Sequence, residues 1–407
     1  MRSRPGPSPS FAPGREERRA PSWQDGFSVS GYVQAQYEQN QLSEDQLDAS
    51  AAPLNSDRFV LRRGRVRLDK RWQYAQAVLE LDANTVRGLA VGIRRAEASL
   101  VYRRGNADLP VLALTAGILD IPFGYELAES PRTRPFFERS TTSLALFPSE
   151  ADLGVKLWGA FGFARYAVAI TNGEPLDARG FPRDPNRAKD VSGRLGIDLQ
   201  VQRRLALAAG TSFSFGKGFH AGQVGTKGGV TWRDDNENGA VDAGELIGVP
   251  ASAPEPSKNF ERFALGLDLR AVLSTPLGSS QLAFEGYLAS NQDRALYPAD
   301  PVQTGVDLRE SGFSISFVQD VYRYGLIGLR YSLYDPNADW LDQRQGNFQP
   351  RSAAVRSVSP VIGLNLADYA RLLFQYDFVR DRLARDPRGV PADANNNWFG
   401  VRLQVGL

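Results

Sequence analysis

The chain has 407 residues, 42% of them hydrophobic and 23% charged, and its mean hydropathy of −0.34 is that of ordered polypeptide rather than of a disordered or collagen-like tract. Its longest uncharged stretch, Ala271 to Phe284, contains Pro276 and falls short of the roughly 20 apolar residues of a spanning helix, so helical membrane proteins are excluded. A single histidine, His220, and no cysteine exclude disulfides, cysteine nucleophiles, iron–sulfur clusters and histidine-rich zinc sites, and a net charge of +2 is too small for a nucleic-acid binder.

Residues 1–25 carry Pro, Arg, Ser and Gly without the apolar block of a secretory leader, and they predict a disordered N-terminal segment ahead of a folded unit over 26–407. From Gly26 onward the hydrophobic pattern has period two, which places successive side chains on opposite faces of a strand. Phe27, Val29, Val33, Ala35 and Tyr37 share one face, and Ser28, Ser30, Tyr32, Gln34 and Gln36 share the other. The same alternation recurs in Leu153 to Trp158, Val191 to Gln202, Arg262 to Ala271, Gly312 to Phe317, Leu372 to Phe378 and finally Phe399 to Leu407. About sixteen such segments of roughly ten residues are present, the length of a tilted membrane strand.

Connections between segments alternate in length. Lys70 to Trp72, Arg103 to Asp108, Arg203 to Arg204, Val321 to Tyr322 and Ala367 to Asp368 are tight. Between them Glu38 to Asp57, Asp120 to Ser149, Asn172 to Asp190, Gly216 to Asn259, Asn291 to Arg309 and Asp335 to Ala354 are long and polar. Short turns on one rim and long loops on the other define an all-β transmembrane antiparallel barrel of about 16 strands, whereas a soluble sandwich or propeller has no need of that asymmetry. Trp72, Tyr102, Tyr322 and Tyr369 lie near segment ends, as interfacial aromatics do.

Several longer motifs go further: Phe59-Val-Leu-Arg-Arg-Gly-Arg-Val-Arg-Leu68, Ala116-Gly-Ile-Leu-Asp-Ile-Pro-Phe-Gly-Tyr-Glu126, Phe137-Glu-Arg139, Asp152-Leu-Gly154, Thr171-Asn-Gly173 and Lys189-Asp-Val-Ser-Gly-Arg194. In these the chain resembles the phosphate-selective porin O and P family, from about Phe27 to Leu407. The resemblance implies a homotrimer in the lipid of the bacterial outer membrane that passes small anions such as phosphate through a sixteen-stranded barrel without catalysis. It also implies that Arg63, Arg65 and Arg67 correspond to an arginine ladder, and that Lys217 and Lys227 fall in the loop whose lysines collect anions in that family. The chain departs from the family in ending on Leu407 instead of an aromatic residue.

The alternation itself assigns a lining. Arg63, Arg65, Arg67, Arg95, Lys156, Arg165, Arg194, Arg262, Arg270, Arg330, Arg356, Arg371 and Arg402 are predicted to face inward, among Asp69, Glu80, Asp82, Glu97, Asp152, Asp198, Asp268, Glu285 and Asp377. Such a lining is mixed and mildly basic, and it favours anions unless the arginines simply brace the wall against those carboxylates. Of the 48 cationic residues six are lysine and 42 arginine, whose planar fork grips carboxylate and phosphate oxygens. The third long loop, 120–149, either folds into the bore, bringing Arg132, Arg134, Glu138 and Arg139 to a constriction, or stays outside as a solvated loop.

The fifth long loop, 216–259, holds Asp234-Asp-Asn-Glu-Asn-Gly-Ala-Val-Asp-Ala-Gly-Glu245, a twelve-residue calcium-loop spacing. Asp234, Asn236, Asn238, the Ala240 carbonyl, Asp242 and Glu245 would supply oxygens around a weak structural Ca2+, and the alternative is an Asx-rich turn. No cofactor is expected for transport. A hydrolase would need His220 beside a serine nucleophile, and the residues around it, Gly218, Phe219 and Gly222, offer none. The expected function is a passive channel preferring anions; the alternative is a non-selective, structural or adhesin-type barrel.

Overall fold

Sixteen antiparallel strands, each paired to its sequence neighbour along the wall, close on themselves in the computed structural model. The structure describes residues 26–407 except 49–50, 52, 105–108, 175–182, 340, 345–346, 351–353, 368, 382–392, 394–395 and 407, so the predicted disordered segment 1–25 lies outside the described residues. The wall runs β1 (Phe27–Asn40), β2 (Arg58–Arg71), β3 (Ala75–Asn84), β4 (Ala90–Tyr102), β5 (Leu112–Asp120), β6 (Ala151–Phe161), β7 (Ala164–Thr171), β8 (Asp190–Gln202) and β9 (Leu205–His220). A small hairpin, β10 (Gly229–Trp232) with β11 (Leu246–Val249), stands in the loop before β12 (Lys258–Thr275). The wall continues with β13 (Gly278–Ser290), β14 (Arg309–Val321) and β15 (Gly325–Asp335), and a second loop hairpin of β16 (Leu341–Arg344) and β17 (Asn347–Pro350) follows. Strands β18 (Val355–Ala367), β19 (Ala370–Asp381) and β20 (Trp398–Gly406) complete it, and β20 pairs with β1 from Tyr32 opposite Gly406 to Asn40 opposite Trp398. Closure leaves no strand edge, the condition for a sheet to stand in hydrocarbon.

The alternation read from the sequence separates the two faces. Val33, Val66, Leu81, Leu114, Leu157, Ile170, Leu195, Leu265, Leu282, Phe317, Ile327 and Ile362 all point outward and are exposed, while their strand neighbours on the inner face are buried or half-buried. That is the reverse of a soluble protein and marks an apolar belt facing lipid. Trp72, Tyr74, Tyr102, Phe161, Phe163, Tyr322, Tyr324 and Tyr369 ring the belt at the short-turn rim, all exposed, where an aromatic ring bridges hydrocarbon and water.

Four register shifts interrupt the ladder among the described residues; those at Asn365/Ala367 and Gln200/Gln202 lie at the short-turn ends of β18 and β8, and the other two fall on paired arginines. Gln34 is opposite Arg63 and Ala35 opposite Leu61, which leaves Arg62 as the extra residue; Glu80 is opposite Arg95 and Leu81 opposite Ile93, which leaves Arg94. A bulge lets two consecutive side chains share one face, so Arg62 and Arg94 join Arg63 and Arg95 on the inside. One inward assignment is corrected: Arg356 is exposed on the outer face, because Val355, Ser357 and Ser359 are the buried row of β18 and Arg356 pairs with the outward Leu333.

Candidate functional site

The connection from β5 to β6, residues 121–150, enters the barrel. Phe123, Leu127, Leu146 and Phe147 pack with Ala264, Tyr287, Ala289 and Tyr334 of the inner wall, and Phe136 and Phe137 pack with Val318, Leu326, Val361, Leu373 and Trp398. A six-residue helix, α1 (Thr141–Leu146), is capped by the Ser140 side chain and rests on β14 and β15. Polar anchors reach strands around the whole wall. Gln34 Nε2 donates to the Pro131 carbonyl at 3.0 Å, the Phe137 N–H donates to Gln375 Oε1 at 2.9 Å, and the N–H groups of Tyr125 and Glu126 donate to the Glu285 carboxylate at 2.7 and 2.9 Å. Gly124 has φ +61° and lies so close to Glu285 that a Cβ would collide with its Oε1, which is why the Pro-Phe-Gly-Tyr-Glu turn carries glycine there.

Two charged clusters line the remaining space. In the first, Glu138 of the loop receives three guanidiniums: Arg62 at 2.9 Å, Arg63 at 2.6 Å and Arg402 at 3.0 Å, while Arg330 donates to its carbonyl at 2.8 Å. Burial pushes the Glu138 carboxyl up, but Arg63, Arg62 and Arg402 together hold it well below the ordinary carboxylate range. In the second cluster Arg65 meets Glu80 and Asp82 at 3.4 and 3.3 Å, Arg67 meets Asp69 at 2.7 Å, Arg94 meets Glu150 at 2.7 Å and Arg95 meets Asp120. Lys156 donates to the Asp120 carbonyl at 3.2 Å. The three residues of the expected ladder are therefore each engaged by carboxylates; Glu138 was not visible as a partner because it comes from a loop 75 residues away.

Further round the wall Arg165 pairs with Asp198 at 3.2 Å, Arg194 with Asp268 at 2.9 Å and Arg262 with Asp190 at 3.0 Å. Arg134 and Arg139 are buried within the loop itself, and Arg139 donates to the Ser143 and Phe147 carbonyls at 3.0 and 2.7 Å, so both hold the loop in shape. Arg132 stands at the loop's deepest reach, where its carbonyl accepts from Gln404 and Arg371 at 3.0 and 3.3 Å. Arg270 and Arg371 differ from the rest. Arg270 donates to the Tyr125 hydroxyl at 2.5 Å and lies 4.5 Å over its ring, Arg371 donates to the Arg132 and Arg134 carbonyls, and among the described residues neither pairs with a carboxylate within 4 Å.

The calcium-loop residues lie outside the barrel beside the β10–β11 hairpin. Asp234 accepts from the N–H groups of Asn238 and Gly239 at 3.1 and 2.8 Å, and Gly239 has φ +71° as the sharp turn needs. Asn238 Oδ1 accepts from the Ala240 N–H at 2.6 Å, and Asn236 and Asn238 each donate an amide N–H to Asp242 at 3.0 and 3.1 Å. Glu245 accepts from Trp232 Nε1 at 3.0 Å and from the Asp235 N–H at 3.1 Å. The donor types fit calcium, but in this arrangement they satisfy one another: a cation would require both Asn amides to turn their oxygens inward and Glu245 to leave the hairpin. Lys217 is on β9 and exposed on its outer face, not in a funnel over the bore, and His220 Nδ1 lies 2.6 Å from Asp300, which caps the short helix α2 (Pro301–Thr304).

A closed sixteen-stranded barrel with an oily outside, a charged inside and an inward third loop defines the class: the chain is an outer-membrane β-barrel of porin architecture. No family model matches the chain, and no curated protein matches its sequence. Solved structures do. It is similar to OprB of Pseudomonas putida, with TM-score 0.59 at 8% identity over 94% of each chain. The outer membrane channel DcaP of Acinetobacter baumannii superposes with TM-score 0.54 at 9% identity over 94% of this chain and 97% of that one. The trimer form of OmpT, an outer membrane protein of Vibrio cholerae, does so with TM-score 0.52 at 11% identity over 94% and 99%. Identities this low establish the shared fold.

Proposed function

We propose that the chain is a passive diffusion channel for small hydrophilic solutes, assembled as a homotrimer in the bacterial outer membrane, narrowed by the 121–150 loop and favouring anions such as phosphate. The observation that carries this reading is the polar, arginine-rich bore inside a lipid-facing wall, with Arg270 and Arg371 left without carboxylate partners beside the loop. Guanidiniums in that state replace part of an anion's hydration shell, whereas the paired ladder of Arg63, Arg65 and Arg67 acts chiefly on the field across the passage. The trimer is supported by the trimer form of OmpT of Vibrio cholerae among the structural neighbours.

Recording in planar bilayers under a KCl gradient tests the reading. Stepwise currents reversing on the anion side are expected, and the double substitution Arg270→Glu with Arg371→Glu should carry the reversal potential toward cations. Open steps of unchanged selectivity in the variant would remove the anion preference; absence of any steps would leave the structural-barrel alternative. We also propose that the 234–245 loop takes Ca2+ weakly, on the order of 10⁻⁴ to 10⁻³ M, as extracellular loops do.

A further inference from the structure

We infer that the loop between β13 and β14, residues 291–308, is a latch that holds the 121–150 segment in its narrow position, with Gln292 and Arg294 as positioning residues. This rests on the channel reading only in treating that segment as the constriction. A helix of six residues does not hold itself in water, so α1 depends on what its ends meet. Its N-terminus is capped from within the segment by Ser140, and Arg139, also of the segment, donates to the Ser143 and Phe147 carbonyls. Two other carbonyls of the last turn are met from the 291–308 loop. The Arg294 N–H donates to the Ala145 carbonyl at 3.0 Å, and Gln292 Nε2 donates to the Leu146 carbonyl at 3.3 Å. The Arg294 guanidinium then lies 5.7 Å over the Phe147 ring, donates through Nη1 to the Gly173 carbonyl at 2.8 Å and stands 3.7 Å from Asp190. One side chain thus fastens the end of α1 to the turn leaving β7 and to the start of β8.

The latch is itself fixed to the wall. Glu310 of β14, buried, accepts from the N–H groups of Gln292 and Asp293 at 2.9 and 3.2 Å. Asp293 accepts from the N–H groups of Ala295, Leu296 and Tyr297 at 2.9, 3.0 and 3.1 Å and from the Tyr334 hydroxyl of β15 at 2.5 Å. Asn291, with φ +52°, closes the base of the loop: its N–H donates to the Leu308 carbonyl at 3.0 Å and its amide to the Glu261 carbonyl of β12 at 3.0 Å. Further along, Asp300 meets His220 at the end of β9. Residues 292–294 are therefore held at a set height over α1. Lifting them would leave the Ala145 and Leu146 carbonyls, in a buried stretch, without those donors, so the helix is tied to the position of the loop.

The chain has no cysteine, so Ala145→Cys gives a single thiol on α1 at a fully buried position. In the full chain in lipid vesicles, the rate at which a membrane-impermeant maleimide labels that thiol reads how often α1 leaves its seat. Labelling should be slow in this background. Adding Gln292→Ala with Arg294→Ala removes the hydrogen bonds to Leu146 and Gly173 and should raise the rate roughly tenfold, the scale of two lost hydrogen bonds. A heat-modifiable gel shift identical to that of the parent shows that the variant barrel is folded. Val306→Ser, exposed in the same loop, should leave the rate as it was. In planar bilayers the double variant should give larger, flickering steps. Unchanged labelling in the double variant, or an equal rise with Val306→Ser, would overturn the latch. Absence of steps from parent and variant alike, with labelling still raised, would count against the channel reading and support the latch.

Discussion

Glu138 is the carboxylate on which three guanidiniums converge, and it ties a loop inside the barrel to β2 on one side and to β20 on the other. Removing one partner of a buried pair costs about 3 to 5 kcal/mol; with the Glu138 side chain 27% exposed, a loss on the order of 2 kcal/mol is expected for Glu138→Gln. The same change strips a negative charge from Arg62, Arg63 and Arg402, so the chloride-to-potassium permeability ratio should rise. Because its pKa in the folded protein is depressed, the stabilisation from Glu138 is present in full above the ordinary carboxylate value of about 4.3 and is lost only as pH falls through the lower folded value. Conductance and thermal midpoint of the parent should therefore hold from pH 7 to that ordinary value so far as this cluster governs them. A drop in both near pH 6 that Glu138→Gln abolishes would show that the carboxyl is not held ionised.

At the scale of elements, the strands were legible and the loop was not. Period two is a backbone property, and it located β8 and β20 to within one residue and β1 to within three, the miss being its loop-side end, which runs on to Asn40. It failed where the backbone departs from it: strict alternation assigns only one of each pair Arg62-Arg63 and Arg94-Arg95, whereas bulges turn both inward. The doubled arginines were the available signal, since neither member of such a pair belongs in lipid. Arg356 was misplaced because β18 begins at the loop-side rim, where a charged side chain reaches water from either face. For the third loop the signal was apolar content: Phe123, Leu127, Phe136, Phe137 and Phe147 do not belong to a solvated loop and need a wall to pack on. Replacing Phe137 and Phe147 with serine should loosen the loop, making it a target for protease and raising the single-channel conductance, while the barrel keeps its heat-modifiable migration. Within the 216–259 loop, terbium luminescence sensitised by Trp232 should appear at submillimolar Tb3+, be displaced by Ca2+ and vanish in Asp234→Ala; a signal unaffected by that substitution would remove the calcium proposal.

For the molecule as a whole, the wall has traded a core for two interfaces, so its stability depends on solvent on both sides. An arginine placed on the belt, as in Leu265→Arg, should cost about 2 to 4 kcal/mol if it lies near the bilayer midplane, measured by equilibrium refolding into lipid. The inward Ala264, next in sequence, packs against the loop, so Ala264→Arg should instead block loop docking and alter conductance. An identical penalty at both positions, with no change in conductance, would contradict a wall that separates lipid from a bore.

The pairing of β1 with β20 carries one more consequence. Gln34 bonds Gln404 across 370 residues of sequence, so the ring cannot shut until synthesis is complete, and contacts of such separation are slow to find. The 121–150 segment is held from both margins of that join, by Arg63 and Arg402 on Glu138 and by Gln34 and Gln404 on Pro131 and Arg132. Docking of the inner segment therefore clasps the first and last strands together from within: a ring already shut by its backbone pairs gains that clasp when its cargo is stowed and forfeits only the clasp when the cargo hangs free.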